Sequence, residues 1–230
     1  MKRMNNSMHK NMIPVTVYIY KTDPAVSSGI QHELGQKLLR TALLNEGISE
    51  YMLRRSKKGK PLVFAADSFS NTDLPGETGR LQPHPADSAR EICYASISHT
   101  DGLVVCAICA TRPVGVDAEA PEGHRLSLTQ MRRTEKKLLK QEFEPGAETA
   151  LAAVAKPLLR ERTERFCERW TLAEAFGKMK GVGLAFSEGY DEIVACPHET
   201  KYTENYVITV LVSGEKTESL SVSWKEVSEL

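Results

Sequence analysis

Apolar and polar residues alternate with a period of two from Val15 to Tyr20, the mark of a strand with one buried face. Apolar runs rich in β-formers follow at 61–65, 92–98, 103–110 and 113–119, and residues 13–20 complete the set in the first half. Between the first two runs the period lengthens to that of a helix. Leu34, Leu38, Leu39, Leu43 and Leu44 mark its apolar face, and the pattern predicts a helix over 30–55. Residues 67–90 are polar and carry several Pro and Gly, so they predict a long mobile loop.

After Glu119 the chain turns helical. A helix is predicted over 127–142, broken at Pro145 and Gly146, with further helical segments over 147–159 and 160–180. Strands are predicted near 190–196, 205–212 and 220–227. Each half therefore holds a long helical part and several strands, which gives the α+β class. Two similar α/β lobes, 1–112 and 113–230, are expected to meet near 111–113, although the halves contain no alignable repeat.

Composition narrows the class. The chain has 230 residues, 41% hydrophobic and 26% charged, enough for a substantial core in a soluble globular protein. Its 30 basic residues balance 30 acidic ones, so nothing in the bulk charge draws it to nucleic acid or an anionic membrane. No apolar run approaches the length of a membrane helix, and the first 20 residues lack the apolar core of a signal peptide. Five scattered cysteines, an odd count, fit a reducing compartment, and the protein is expected in the cytoplasm. Cys106 and Cys109 have C-x-x-C spacing, but on a strand they point to opposite faces and cannot act together.

Four stretches could carry chemistry. In "GVDAEAP", Asp117 and Glu119 lie two residues apart at a strand end, so both carboxylates share one face and could share a divalent cation. Taken alone they read more readily as a solvated strand end. In "RWTLAEAFGKMKGVGL", Trp170, Glu174 and Lys178 form one helical stripe ahead of Gly181 and Gly183. By itself the Glu–Lys pair is an ordinary i,i+4 contact worth about 0.2–0.5 kcal/mol. In "SISHT", His99 sits where a strand gives way to the Asp101–Gly102 turn signal, placed to meet a phosphate or simply to cap a hairpin. "RRSKKGKP", 54–61, is a basic turn that solvation alone would explain.

Their order changes the reading. G-K-P, S-x-S-H, G-V-D-x-E and W-[ST]-x-x-E-A-x-x-K followed by G-x-G-L together resemble the 4′-phosphopantetheinyl transferase superfamily. Length and the two-lobed pattern resemble its larger, surfactin-synthetase-activating class, with lobes related by a pseudo-twofold, and imply a monomer rather than a trimer. The resemblance implies transfer of phosphopantetheine from coenzyme A to a serine of a carrier protein, with release of 3′,5′-ADP. It implies Mg²⁺ on Asp117, Glu119 and Glu174, with Glu174 as the base. Lys178 would face the pyrophosphate, Ser98 and His99 the 3′-phosphate region, and Gly59, Lys60 and Pro61 the adenine. His99 would also help offset charge on the leaving nucleotide, and Arg40 would help hold the 3′-phosphate.

The family usually has a lysine just before the helix glutamate, where this chain has Ala173. A phosphate-contacting cation is then expected to be missing, or supplied by Lys180 or an arginine. An acidic carrier domain is the implied partner, docking on the stripe Arg132, Lys136 and Lys140. No aromatic platform accompanies those charges, which argues against nucleic acid. The alternatives are a Mg²⁺-dependent nucleotide phosphodiesterase and a coenzyme A-binding module without turnover.

Overall fold

The computed structural model describes residues 12–66, 91–123, 130–131, 134, 156–183 and 189–230. The predicted helix over 127–142 and the segment 147–155 fall almost wholly outside them, as do the predicted loop over 67–90 and the stripe Arg132, Lys136 and Lys140.

The described strands form two sheets. The first is ordered β2-β3-β4-β5-β1-β9, from β1 (Met12–Lys21), β2 (Tyr51–Arg55), β3 (Pro61–Ala65), β4 (Glu91–Thr100), β5 (Leu103–Cys109) and β9 (Ser219–Val227). The second is ordered β6-β8-β7, from β6 (Val114–Glu119), β7 (His198–Tyr202) and β8 (Val207–Val212). All neighbours are antiparallel except β1 and β9. The chain crosses from the first sheet to the second between β5 and β6, and β9 returns to the first. The β4–β5 hairpin closes through Gly102, whose φ of +79° favours glycine.

Side-chain parity stacks these sheets between two helices. Odd positions of β1 and β5, among them Val15, Val17, Val105 and Ala107, meet Val114, Val116, Ile208 and Val210 in a core between the sheets. The other face of the first sheet receives helix α1 (Ser28–Asn45), where Leu38, Leu39, Ala42 and Leu43 pack on Tyr18, Val63 and Cys106. Cys106 thus lies beneath α1 while Cys109 lies between the sheets, on opposite faces as their spacing predicts. The outer face of the second sheet takes helix α2 (Lys156–Lys180). There Thr209 of β8 hydrogen-bonds Thr171 at 2.7 Å, and Leu211 joins Leu172 and Phe176.

Three sequence expectations are corrected. The helix predicted over 30–55 stops at Asn45, because Gly47 (φ +78°) terminates it. Gly47 N–H donates to Leu44 O and Ile48 N–H to Leu43 O, the paired bonds of a Schellman end, so the chain is free to enter β2. The strand predicted near 190–196 is a short helix, α3 (Tyr190–Ala195), with Asp191 and Glu192 in its first turn to complement the dipole. The segments predicted to part at 159/160 are continuous, because the described helix runs through that point from Lys156 to Lys180. β7, "HETKY", is polar enough that its alternation gave no signal.

Candidate active site

The site starts from a glycine. Gly115, Asp117 and Glu119 alternate onto the face of β6 that looks at α2, while Val114, Val116 and Ala118 enter the core. The helix backbone comes so near Gly115 that a Cβ there would overlap the Ala175 carbonyl and stand 3.0 Å from Met179 N. Only a residue without a side chain permits that approach. It lays α2 along β6 with the stripe Trp170, Glu174 and Lys178 beside the two strand carboxylates. From the other side Ser96 Oγ accepts the Val116 N–H at 3.1 Å, tying β4 to β6.

Asp117 is the centre of this acidic end. Its Oδ1 accepts from Lys178 Nζ at 2.7 Å and from Ser98 Oγ at 2.7 Å, and the same amine donates to Ser98 Oγ at 2.8 Å. Its Oδ2 is buried without a partner, which normally costs about 1–3 kcal/mol or more for a charged group. Glu119 Oε1 accepts from Trp170 Nε1 at 3.1 Å. Burial, aided by the Asp117 charge, pushes the Glu119 carboxyl up to about 7 against the opposing Trp170 hydrogen bond. Burial and Asp117 push Glu174 up to about 7 as well, with Lys178 opposing. Three carboxylates crowd a place where one ammonium stands. Among the described residues, however, no group of three or more His, Cys, Asp or Glu side chains stands close enough to hold a metal ion.

A basic end faces it. β3 begins at Pro61, and its register with β4 runs no further than Leu62 against Tyr94, so β4 from Ser96 to His99 borders open space. That space is a cavity of about 490 Å³, within the range that takes a small-molecule ligand. The β2–β3 turn supplies Arg55, Lys58 and Lys60 to its wall, and α1 supplies His32 and Gln36. Lys58 Nζ donates to Val182 O at 2.9 Å and Lys60 Nζ to Met179 O at 2.8 Å, so two cations sit at the negative end of α2. Arg55 reaches the Gly59 carbonyl at 3.0 Å and lies 3.4 Å from His32 Nε2. Burial and the nearby Lys178 and His32 hold His99 below its usual range despite Asp117.

The cavity brings together Gly59, Lys60, Pro61, Ser98, His99, Asp117, Glu119, Glu174 and Lys178, the predicted set with one exception. Arg40 is exposed one turn beyond Gln36 and does not line the cavity. Ala173 is 4% exposed in an apolar cluster with Leu172, Phe176 and Ile193, turned away from the cavity. Nor does Lys180 reach in, because its amine lies 5.3 Å over the Phe176 ring. The expected gap at Ala173 is therefore not a gap in this cavity wall, where Lys58, Lys60 and Arg55 stand.

Sequence reasoning quoted Gly115 and Ser96 in its motifs but gave them no role, and it missed His32, Gln36 and the contact of Trp170 with Glu119. The period-two rule that paired Asp117 with Glu119 could have found Gly115, and applied to β4 it links Ser96 with Ser98.

Residues 113–224 match the family model of the 4′-phosphopantetheinyl transferase superfamily. The match spans just under half of the chain. It begins just before β6 and ends within β9, so it contains Asp117, Glu119, Glu174 and Lys178, the whole acidic end. The matched segment is similar to that superfamily, and the mixed α/β sheets are in keeping with the likeness. The basic end, from α1 to β4, lies outside the matched segment. No curated protein matches the chain.

Proposed function

We propose that this protein transfers 4′-phosphopantetheine from coenzyme A to a serine of an apo carrier protein, releasing 3′,5′-ADP. The observation that carries the reading is the acidic end itself. Asp117 has a buried carboxylate oxygen without a partner beside two carboxylates held near 7, inside the segment that matches the superfamily. That oxygen-donor set suits a hard cation such as Mg²⁺, with Asp117, Glu119 and Glu174 as the residues to hold it. Bound there, Mg²⁺ would neutralise charge on the pyrophosphate.

The chain's own residues account for the rest. The serine oxygen attacks the β-phosphorus, and the bond from that phosphorus to the oxygen bridging toward the α-phosphate breaks. The serine proton passes to Glu174, directly or through a water. Lys178 compensates charge on the leaving nucleotide, and His99 contributes a hydrogen bond there. Ser98 orients Asp117 and Lys178 at once. Lys60, Lys58 and Arg55 face the anionic ligand, with Gly59 and Pro61 shaping the turn. Positioning and charge compensation do most of the work in phosphoryl transfer.

The larger, two-lobed class with a pseudo-twofold also belongs to this reading. It is supported by a sheet on each side of the central core, each with one long helix on its outer face. A reducing, cytoplasmic setting accords with five free cysteines, of which four are buried. Mass spectrometry of a panel of apo carrier proteins incubated with enzyme, coenzyme A and Mg²⁺ tests the proposal. A phosphopantetheine mass gain on a serine is expected. Free phosphopantetheine without carrier modification would favour a phosphodiesterase, and coenzyme A binding without turnover a binding module.

A further inference from the structure

We propose that the Lys178 amine occupies the divalent-cation position at Asp117 and yields it when a diphosphate enters the cavity, so cation and diphosphate bind with positive coupling. The inference rests on the reading of Asp117 as a metal carboxylate, and concerns what holds that carboxylate before any ligand arrives.

The Lys178 amine lies 2.7 Å from Asp117 Oδ1 and 2.8 Å from Ser98 Oγ, while Oδ2 of the same carboxylate is buried and unpartnered. An ammonium and a dication cannot share one buried carboxylate cheaply, because like charges a few ångströms apart repel strongly away from bulk water. One partner must move, and the structure says which. The Asp117 side chain is 7% exposed, on a strand strapped to β4 and β8, and the nearby Gly115 is locked beneath α2. Lys178 has a side chain 30% exposed on a flexible four-carbon stem, facing the cavity.

An ammonium leaving a carboxylate needs another anion, or its desolvation is uncompensated. The cavity's remaining charged groups are Glu119 and Glu174, which the incoming cation would itself engage, and the cations Lys58, Lys60 and Arg55, which repel it. A diphosphate supplies the missing acceptor. Since coupling is reciprocal, the cation must tighten diphosphate binding by the factor that diphosphate tightens the cation.

The test compares Mn²⁺ binding, followed by electron paramagnetic resonance of the free ion, in wild type and Lys178→Gln without other ligands. The variant should bind Mn²⁺ about tenfold more tightly or better, as expected when a charge-assisted competitor is removed. Equal or weaker binding overturns the proposal while leaving Asp117 a metal ligand. Binding by neither protein overturns both, independently of the carrier-protein assay. Should Lys178→Gln fail to fold, as judged by circular dichroism, wild type labelled by reductive ¹³C-methylation of lysines decides. The Lys178 resonance, assigned with Lys178→Arg, should shift when Mg²⁺ and inorganic pyrophosphate are added together, and a fixed resonance at saturation rules the exchange out.

Discussion

The two ends of the cavity carry opposite charge and are built in opposite ways. The acidic end stands on β6 and α2, locked where Gly115 meets the Ala175–Met179 backbone, and Asp117 is 5% exposed. The basic end stands on a hairpin turn and an exposed helix face, where Arg55, Lys58 and His32 are all exposed. Crowding carboxylates out of water is expensive, and only a rigid strand and helix can hold them there. Cations on a rim keep their hydration and give up little to meet a ligand. The contrast separates chemistry, which needs fixed groups, from capture of an anion, which needs reachable ones.

The sharpest way to break the contrast is at its fixed end. Asp117→Ala should lower kcat by about 10²–10³-fold or more, comparable to losing one preorganised electrostatic contact, with the Mg²⁺ dependence largely lost. Steady-state kinetics across a Mg²⁺ titration checks this, with circular dichroism showing an intact fold. Next comes the support beneath it. Gly115→Ala forces a methyl onto the α2 backbone, so stability in urea should fall by about 3 kcal/mol, and kcat should fall with it because Glu174 and Lys178 are displaced. Unchanged stability would mean that α2 does not rest on β6 as described.

How much of this was legible in the sequence follows the same division. The acidic residues could be read because a strand's period of two and a helix's stripe of four are rigid rules, and Asp117, Glu119, Glu174 and Lys178 all obey them. The strands of the first sheet were legible because their apolar alternation is strong. Non-local contacts were not. Nothing local shows that β4 would run beside β6 and pair Ser98 with Asp117, or that α1 would bring His32 and Gln36 to the cavity. Helix ends failed where a glycine overrode an apolar pattern, at Gly47.

Position 173 offers a smaller test. Adding the lysine that the family resemblance leads one to expect should not tighten coenzyme A binding, because Ala173 is packed against Phe176 and Ile193 rather than facing ligand. Ala173→Lys should instead cost about 2 kcal/mol of stability, within the usual range for a damaging core change. A lower KM for coenzyme A would show that the side chain reaches the cavity after all.

The acidic end also predicts a pH dependence. Folding raises Glu174 from 4.5 to about 7, so its contribution to stability is fully present below pH 4.5 and is lost as pH rises through about 7. Glu119 behaves the same way. Glu174→Gln cannot titrate, so its Tm should overtake that of wild type between pH 5 and about pH 8 in metal-free buffer. Parallel Tm curves for the two proteins across that span would mean that Glu174 is not held in its neutral form.

The smallest expected effect lies at the basic end. Lys58 donates to the Val182 carbonyl just past α2, a partly solvated contact with the negative end of a helix, worth about 0.3–1 kcal/mol. Its amine also faces the cavity, so ligand binding and helix capping compete for one group. Lys58→Ala should therefore shift Tm by little, raise the KM for coenzyme A several-fold and leave kcat nearly unchanged. Added salt should shrink the difference in KM, because an exposed cation is screened over about 8 Å at physiological ionic strength. Kinetics of wild type and variant at two salt concentrations, with one carrier protein, make the comparison. A fall in kcat as large as that of Asp117→Ala would show that the rim is as much a part of the chemistry as the wall it faces, and the division between the two ends would not hold.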